Sequence, residues 1–344
     1  MLHELGHFFA AKAVGMRVER FSLFFPPLIY RRQGKGETEY AIGSVPLGGY
    51  VKITGMNPHE ELPPDVAPRA YFRQKPWKRI VVILAGPVVN IVLAFGIFTA
   101  LILDSGVPAD GADVVSVDRD KPAEGVLVPG DRIVSVDGRS GDSGELSDRI
   151  ASHRCEGKLK VGCVAATAVT LEISRKGQMV RESVKPVYDA QRKRMRLGFT
   201  TDVVTRDVGL GGAMTGSLDQ MWFVTTRTVT VIGQIFDAEK RKELSGVVGS
   251  YETARQAVEL DLTTALFVLG LISLSLGIVN LFPFLPLDGG HVFWAVAEKV
   301  RGKAIPFSVM ERSGFIGFAL VLCLFAIGLT NDINTLLGPG FTLR

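Results

Sequence analysis

Long apolar runs are the main feature of the hydrophobic pattern, and they predict helices that cross a membrane. Three runs, at about 80–103, 263–282 and 314–330, carry apolar side chains almost throughout. Each approaches or exceeds the roughly 20 apolar residues that a helix needs to cross about 30 Å of hydrocarbon. We therefore expect three complete transmembrane helices. The apolar stretch 1–15 is too short to cross, so we expect it to end a first helix that begins upstream of this sequence.

The region between the first two complete spans has a different pattern. Residues 106–201 contain strand-like runs at 132–136 and 169–173, each followed by a turn that contains glycine. A helical stretch near 144–152 lies between the two runs. We expect a small α+β domain here, inserted between the spans. The segment 208–261 behind it mixes Gly, Thr and apolar residues and predicts a linker with an interfacial helix.

Charge orients the spans and excludes one class of partner. The net charge of +4 is modest and no basic groove interleaved with aromatics is present, which argues against a nucleic-acid partner. Twelve Lys and Arg residues lie between His7 and Ile80, and four more lie from Lys299 to Arg312. If the spans alternate, both basic loops face the same side, which the positive-inside rule assigns to the cytoplasm. The inserted region is then extracytoplasmic.

The three cysteines form neither a disulfide framework nor a CxxC pair. Cys155 and Cys163 both lie in the predicted inserted domain, and Cys323 lies in the last span. In an oxidising compartment the first two can form one bridge, but two independent thiols fit the sequence equally well.

The N-terminal segment His3-Glu4-Leu5-Gly6-His7 has the spacing of a zinc-peptidase signature. Positions i and i+4 share one face of a helix, so His3 and His7 can direct nitrogen atoms at one metal ion. Glu4 is then placed to act as general base on water. The alternative is a helix end with polar residues on an apolar face, but ionisable groups in membrane sequence are costly without a functional partner.

A third ligand is expected far along the chain, because a catalytic zinc normally has three protein ligands. Asp288 is a lone carboxylate at the end of an apolar run that Pro283 and Pro286 interrupt, so the backbone there cannot be a regular helix. The alternative is an aspartate that caps a turn before Gly289. His291 is not counted as a ligand, since two histidines and Asp288 complete the set.

Several linked motifs together resemble a known family. The segments His3–His7, Pro46–Lys52, Ala85–Asn90 and Asn280–Gly290 resemble the site-2 protease family of intramembrane zinc metalloproteases. The segment 122–138, with Pro129-Gly130-Asp131 and Asp137-Gly138, resembles a PDZ domain, for which a generic β-rich domain is the alternative. With a single inserted PDZ domain, the order of motifs resembles the bacterial branch of this family that includes the regulator of sigma-E protease.

The resemblance implies a multi-pass α-helical membrane protein with about four transmembrane helices, the first truncated here. It also implies a membrane re-entrant β-hairpin at about 38–54 and an extracytoplasmic PDZ domain. The expected order has these boundaries: 1–15, partial first span; 16–79, cytoplasmic and hairpin region; 80–103, span; 106–201, PDZ; 208–261, linker; 263–282, span; 283–312, zinc-ligand loop and cytoplasmic segment; 314–330, span.

By the same resemblance, Zn²⁺ is held by His3, His7 and Asp288, and Glu4 is the catalytic base. Asn90, Asn280 and Pro283 are expected to position the substrate, although hydrogen bonding between helices is an alternative for the two asparagines. The implied partners are single-span membrane proteins such as anti-sigma factors or remnant signal peptides, the lipid bilayer, and a peptide ligand of the PDZ domain near 124–128. The implied location is the bacterial plasma membrane, with the active site toward the cytoplasm.

Two other functions use the same residues. A catalytically silent PDZ adaptor or chaperone would keep the fold without turnover, and a zinc transporter or sensor would have no need of Glu4. The presence of all four residues, His3, Glu4, His7 and Asp288, favours the peptidase.

Overall fold

The computed structural model describes residues 1–57, 60–155, 160–190, 192, 194–233, 246–303 and 305–338. The chain divides into two units. The first comprises Met1–Leu101 and Met214–Arg344, and the second is the inserted region Ile102–Ala213. Each unit is described separately.

The N-terminal part of the first unit combines helices with a β-hairpin. Its elements are α1 (Leu2–Ala13), β1 (Val18–Gln33), β2 (Glu39–Ile53) and α2 (Pro76–Ser105). Apolar side chains from all four elements form one buried cluster with Tyr71, including Phe8, Met16, Phe21, Ile53 and Ile83. This cluster holds α1 against the hairpin and the first turns of α2.

The hairpin is larger than the sequence predicts. β1 pairs antiparallel with β2, and Leu23 pairs with both Gly49 and Ile42, so this part of β1 lies between two parts of β2. The expected range 38–54 therefore holds only the second strand. The first strand was missed because it lacks polar and apolar alternation and contains Pro26-Pro27, which normally marks a break in a strand.

The inserted region is an α+β domain, as predicted. Its five-stranded antiparallel sheet has the order β6-β5-β4-β3-β9, and β7 pairs separately with β8. The elements in chain order are β3 (Val107–Val117), β4 (Arg132–Val136), α3 (Ser143–Ser152), β5 (Val169–Arg175), β6 (Gln178–Val184), β7 (Val187–Asp189), β8 (Arg194–Arg196) and β9 (Phe199–Arg206).

Two strands and one helix of this domain lie where the sequence predicts them. The predicted runs 132–136 and 169–173 are strands, and the expected helix begins one residue early, at Ser143. Asp142 caps that helix by accepting a hydrogen bond from the Glu145 amide. A disulfide joins Cys155 to Cys163 and settles the alternative that the sequence left open.

In the described part of the chain, five further helices follow the inserted sheet: α4 (Leu210–Gly233), α5 (Val247–Leu260), α6 (Leu262–Asn280), α7 (Asp288–Arg301) and α8 (Phe307–Leu337). Within the described ranges, three helices are by length and composition able to cross a membrane, namely Pro76–Ser105, Leu262–Asn280 and Ser308–Leu337. They contain the predicted spans, except that the second ends at Asn280 instead of 282, and the last is much longer than 314–330.

The expected linker 208–261 is mostly helical where the structure describes it; residues 234–245 lie outside the described ranges. Met221 and Val224 of α4 pack in one cluster with Phe98 of α2 and Leu274 of α6. The Ser217 hydroxyl donates a hydrogen bond to the Phe95 carbonyl. One face of α4 therefore packs against α2 and α6, while apolar side chains such as Trp222 and Phe223 are exposed on its other faces, so the sequence lacks an amphipathic pattern.

A carboxylate of α8 also has structural partners. Asp332 of α8 is buried and accepts hydrogen bonds from the amides of Gly246, Val248 and Gly249. These amides begin α5, so Asp332 satisfies donors that have no partner within their own helix. This interaction fixes the start of α5 on α8.

Candidate active site

Helix α1 places the residues of the zinc-peptidase signature on one side. His3 Nε2 and His7 Nε2 lie 3.1 Å apart, and the two ring planes are close to perpendicular, at 82°. Because the residues are four apart, both imidazoles leave the same helix face. This face is turned toward α2 and the beginning of α7.

Asp288, the first residue of α7, completes a triangle with the two histidines. Its Oδ2 atom lies 3.1 Å from His3 Nε2 and 3.3 Å from His7 Nε2. The irregular segment between α6 and α7 makes the sharp turn that brings the carboxylate there. The expected zinc-ligand loop 283–312 is thus mainly helix α7, with Asp288 at its N-terminus.

The three side chains fit a zinc ion. Around a tetrahedral zinc with bonds of about 2.0–2.1 Å, neighbouring ligand atoms lie roughly 3.3 Å apart, close to the separations found here. Apart from the two histidine nitrogens, the buried Asp288 Oδ2 has no polar partner among the described residues, as expected of an atom that binds a metal together with them. Within the described ranges these three residues form one potential metal-binding group.

Helix α2 shapes the other side of the site. A Cβ atom built on Gly86 would lie 2.6 Å from His7 Cε1 and 2.8 Å from His3 Nε2, so any side chain there would occupy the position of the imidazoles. His7 Nδ1 donates a hydrogen bond of 2.8 Å to the Val82 carbonyl. The amide of Asn90 faces His3 Nδ1 at 3.3 Å.

Glu4 lies in a cavity of about 390 Å³ beside the triangle, and it is not one of the three clustered ligands. The cavity is also lined by residues of the hairpin, α2 and α6, including Phe25, Gly48, Gly49, Val51, Ile83, Leu276 and Asn280. A carboxylate at this position can exchange a proton with water or substrate held beside the three ligands. The hairpin therefore reaches the candidate active site.

The structure separates the three residues expected to position substrate. Asn280 lines the cavity. Asn90 is buried behind His3 and is not among the lining residues. Pro283 is exposed and does not line the cavity either. His291 packs edge-on against Tyr71 and is not part of the group formed by His3, His7 and Asp288.

Three contributors were missed by sequence reasoning. The Val82 carbonyl and the space at Gly86 lie on α2, and an ion pair joins α2 to α7. In the ion pair, Arg79 Nη2 lies 2.7 Å from Glu298 Oε2 of α7, the helix that carries Asp288. A charged residue at the edge of an apolar run was a possible signal for Arg79, whereas a backbone carbonyl leaves no mark in the sequence.

Known proteins are similar to nearly the whole chain. The chain is 29% identical to a protein of Rhizobium meliloti over 98% of this chain and 94% of the relative. It is 27% identical to a protein of Clostridium acetobutylicum, over 97% of this chain and 93% of the relative. Both relatives bear the name "Putative zinc metalloprotease".

Part of the chain is also similar to a solved structure. The match is to the PDZ domain of an SdrC-like protein from Listeria innocua, with 27% identity and a TM-score of 0.23. It covers 28% of this chain and 99% of that structure.

A sequence model of peptidase family M50 matches residues 1–324. The cofactor of the zinc metalloproteases that this chain resembles is Zn²⁺. The chain belongs to peptidase family M50, the family of zinc metalloproteases to which its histidines and Asp288 pointed.

Proposed function

We propose that this zinc metalloprotease is an endopeptidase that cleaves membrane proteins within or near a transmembrane segment. One observation carries the proposal: His3, His7 and Asp288 converge beside Glu4 in a cavity bounded by membrane helices α2 and α6. The substrates would be single-span membrane proteins already shortened by an earlier cut. Anti-sigma factors and remnant signal peptides belong to this class.

His3, His7 and Asp288 would hold the zinc, which when bound activates water and polarises a peptide carbonyl. Glu4 would accept a proton from the attacking water and deliver it to the nitrogen of the departing amine. The cavity places this carboxylate next to the three ligands without making it a ligand.

The substrate would bind in an extended form along the hairpin. A helix buries its peptide groups in hydrogen bonds from residue i to i−4, so cleavage requires local unwinding. Gly48, Gly49 and Val51 of β2 line the cavity, and a strand edge there can pair with an unwound segment. Asn280 lines the same cavity and would donate a hydrogen bond to the substrate. We expect helix-breaking residues near the cut to favour cleavage.

The protein would lie in the bacterial plasma membrane with the active site toward the cytoplasm. The disulfide between Cys155 and Cys163 supports this orientation, because disulfides persist in oxidising compartments and are rare in the cytosol. The inserted domain would therefore be extracytoplasmic. The lipid bilayer would surround the exposed apolar faces of the spans.

The inserted domain would act as a PDZ domain that binds a peptide or excludes uncut ectodomains. Strand β9 lies at one edge of its sheet, and a groove of about 250 Å³ runs between β9 and α3. Leu146, Ile150 and Phe199 line this groove. The expected position near 124–128 is not among the lining residues, because the edge strand that can accept a peptide comes at the end of the domain.

The test is cleavage of a tagged single-span substrate in membranes, comparing the protein with its Glu4→Gln variant. We expect a cut within or near the membrane segment that requires intact Glu4 and disappears when a chelator removes zinc. The variant should still bind zinc, since Glu4 is not a ligand. If both proteins bind several substrates and neither cuts them, the non-catalytic adaptor replaces the peptidase as the better interpretation.

A further inference from the structure

We infer that Asn90 is a positioning residue for the zinc ligand His3, and that it does not contact substrate. The Asn90 amide lies against His3 Nδ1. Turned so that its oxygen faces the imidazole, it accepts a hydrogen bond from Nδ1 and directs Nε2 toward the metal. This inference rests on the proposed zinc site and adds to it the residue that selects the tautomer of one ligand.

The burial of Asn90 excludes substrate contact. The residue is 4% exposed and is absent from the cavity lining, although Asn280, the other asparagine of the region, is part of that lining. The Asn90 side chain meets His3 at Nδ1, whereas Nε2 faces the metal triangle, and the distance from Asn90 Nδ2 to His3 Nδ1 is 3.3 Å. Asn90 therefore contacts the ligand His3 at Nδ1, the ring nitrogen that does not face the metal triangle.

The tautomer of His3 follows from its ligand role. A neutral imidazole has one N–H, and Nε2 can bind a metal only if the proton is on Nδ1. Nδ1 then needs an acceptor, which the Asn90 carboxamide oxygen supplies once the amide is oriented with oxygen toward His3. Oxygen and nitrogen of an amide are assigned from their hydrogen-bond partners, so the ligand role decides this orientation.

The two histidines are held in the same manner from one face of α2. His7 Nδ1 donates to the Val82 carbonyl, and His3 Nδ1 faces Asn90. Val82, Gly86 and Asn90 are spaced by four residues, which places an acceptor, a space for the imidazoles and a second acceptor along one helix face. The Ser273 hydroxyl of α6 donates a hydrogen bond of 3.0 Å to the backbone carbonyl of Asn90 and anchors this turn of α2.

A positioning role predicts an effect on metal affinity. Removal of a hydrogen-bond partner behind a metal ligand typically costs about 10- to 100-fold in metal affinity or activity. A substrate contact would instead change turnover and leave zinc affinity intact. Asn90 and Asn280 form a matched pair for this distinction. Both are asparagines of the first unit, but Asn90 contacts His3 and Asn280 lines the cavity.

The experiment measures zinc affinity of the full chain in detergent micelles by competition with a chromophoric chelator. We expect Asn90→Leu to weaken zinc binding about 10- to 100-fold. Asn90→Asp keeps an acceptor and should stay within a few-fold of the unmodified protein. Asn280→Leu should keep full zinc affinity while losing turnover. Unchanged affinity in Asn90→Leu together with lost turnover would overturn the inference and move Asn90 to the substrate.

A measurement on the unsubstituted protein covers the case in which Asn90→Leu does not fold. In ¹⁵N-histidine NMR spectra of the zinc-loaded protein, His3 should show a protonated Nδ1 and a metal-bound Nε2. A metal-bound Nδ1 would contradict the inference even though zinc is present. Failure of the unsubstituted protein to bind zinc would instead refute the proposed function, so the two failures are distinguishable.

Discussion

His7 Nδ1 and the Val82 carbonyl oxygen are joined by a hydrogen bond of 2.8 Å that crosses from α1 to α2. The proton on Nδ1 leaves Nε2 free to bind metal, so a backbone atom of α2 determines the tautomer of a ligand on α1. No side-chain substitution can remove this acceptor. The metal site is therefore tied to the position of α2 against α1, and the first prediction concerns the residue that permits this close approach.

Gly86→Ala should strongly weaken zinc binding. The added methyl group would lie 2.6 Å from His7 Cε1 and 2.8 Å from His3 Nε2, so the imidazoles must move away from Asp288. We expect zinc affinity to fall by more than about 100-fold, since a ligand itself is displaced. Gly96→Ala on the same helix is the control, because nothing lies within 4 Å of its added Cβ. Equal zinc content in both variants would show that α2 does not bound the site.

Glu298→Gln should destabilise the first unit and weaken zinc binding. Glu298 pairs with the buried Arg79, and its loss leaves a guanidinium without its charged partner. We expect the free energy of unfolding to fall by about 2 kcal/mol. This is less than for fully buried pairs, because Glu298 is partly exposed. Thermal unfolding in micelles measures this, with the exposed Glu311→Gln as control. If Arg79→Met shows no energetic coupling to Glu298→Gln in a double-mutant cycle, the pair does not hold α7.

Asp131→Asn should destabilise the inserted domain and change its pH dependence. Arg175 donates two hydrogen bonds to the buried Asp131 carboxylate, and these lower the pKa of Asp131. A lowered pKa adds stability above the unfolded value of about 4, and this stability is lost as pH falls through the folded pKa. We expect the free energy of unfolding of the variant to be lower by about 2 kcal/mol near neutral pH. The stability of the variant should also depend less on acid pH.

Hydrogen–deuterium exchange of β4 and β5 amides, followed against pH in the full chain, measures this effect. Asp113→Asn is the matched control. Asp113 also has a lowered pKa, because of its hydrogen bonds with Arg132, but both side chains are nearly half exposed and surface pairs contribute about 1 kcal/mol or less. Equal effects of the two substitutions would contradict a special role for the buried pair.

Cys155 and Cys163 should resist alkylation until a reductant is added, because they are joined by a disulfide. Mass spectrometry of protein alkylated after denaturation should find Cys323 labelled and the other two unlabelled. Cys155→Ser should release the Cys163 thiol and destabilise the inserted domain by about 2–3 kcal/mol. Labelling of both cysteines in unreduced protein from membranes would argue against the extracytoplasmic orientation.

Features with a short-range cause were readable from the sequence. The spans follow from long apolar runs, and the strands at 132–136 and 169–173 follow from alternation ended by glycine turns. The shared face of His3 and His7 follows from helix periodicity. β1 could not be predicted in the same way, because its partner contacts and not its own pattern stabilise a strand that contains Pro26-Pro27.

Roles that depend on distant contacts needed the folded chain. The sequence treated Asn90 and Asn280 alike, yet one lies behind His3 and the other lines the cavity. Pro283 was expected at the site because of its neighbours in sequence, but its side chain is exposed. Residue type and helix face follow from the sequence. The burial and direction of a side chain depend on which helix packs against it.

By itself the sequence determined the chemistry of this protein: two histidines on one helix face, a glutamate beside them, a remote aspartate and the apolar helices around them. Those properties are local, since they depend on side-chain identity, periodicity and hydropathy. Only the tertiary structure decided that α2 supplies the acceptor for His7, the space at Gly86 and the contact to His3. The physical reason is that a metal site requires atoms to converge within a few ångströms, and packing of helices distant in sequence sets those distances.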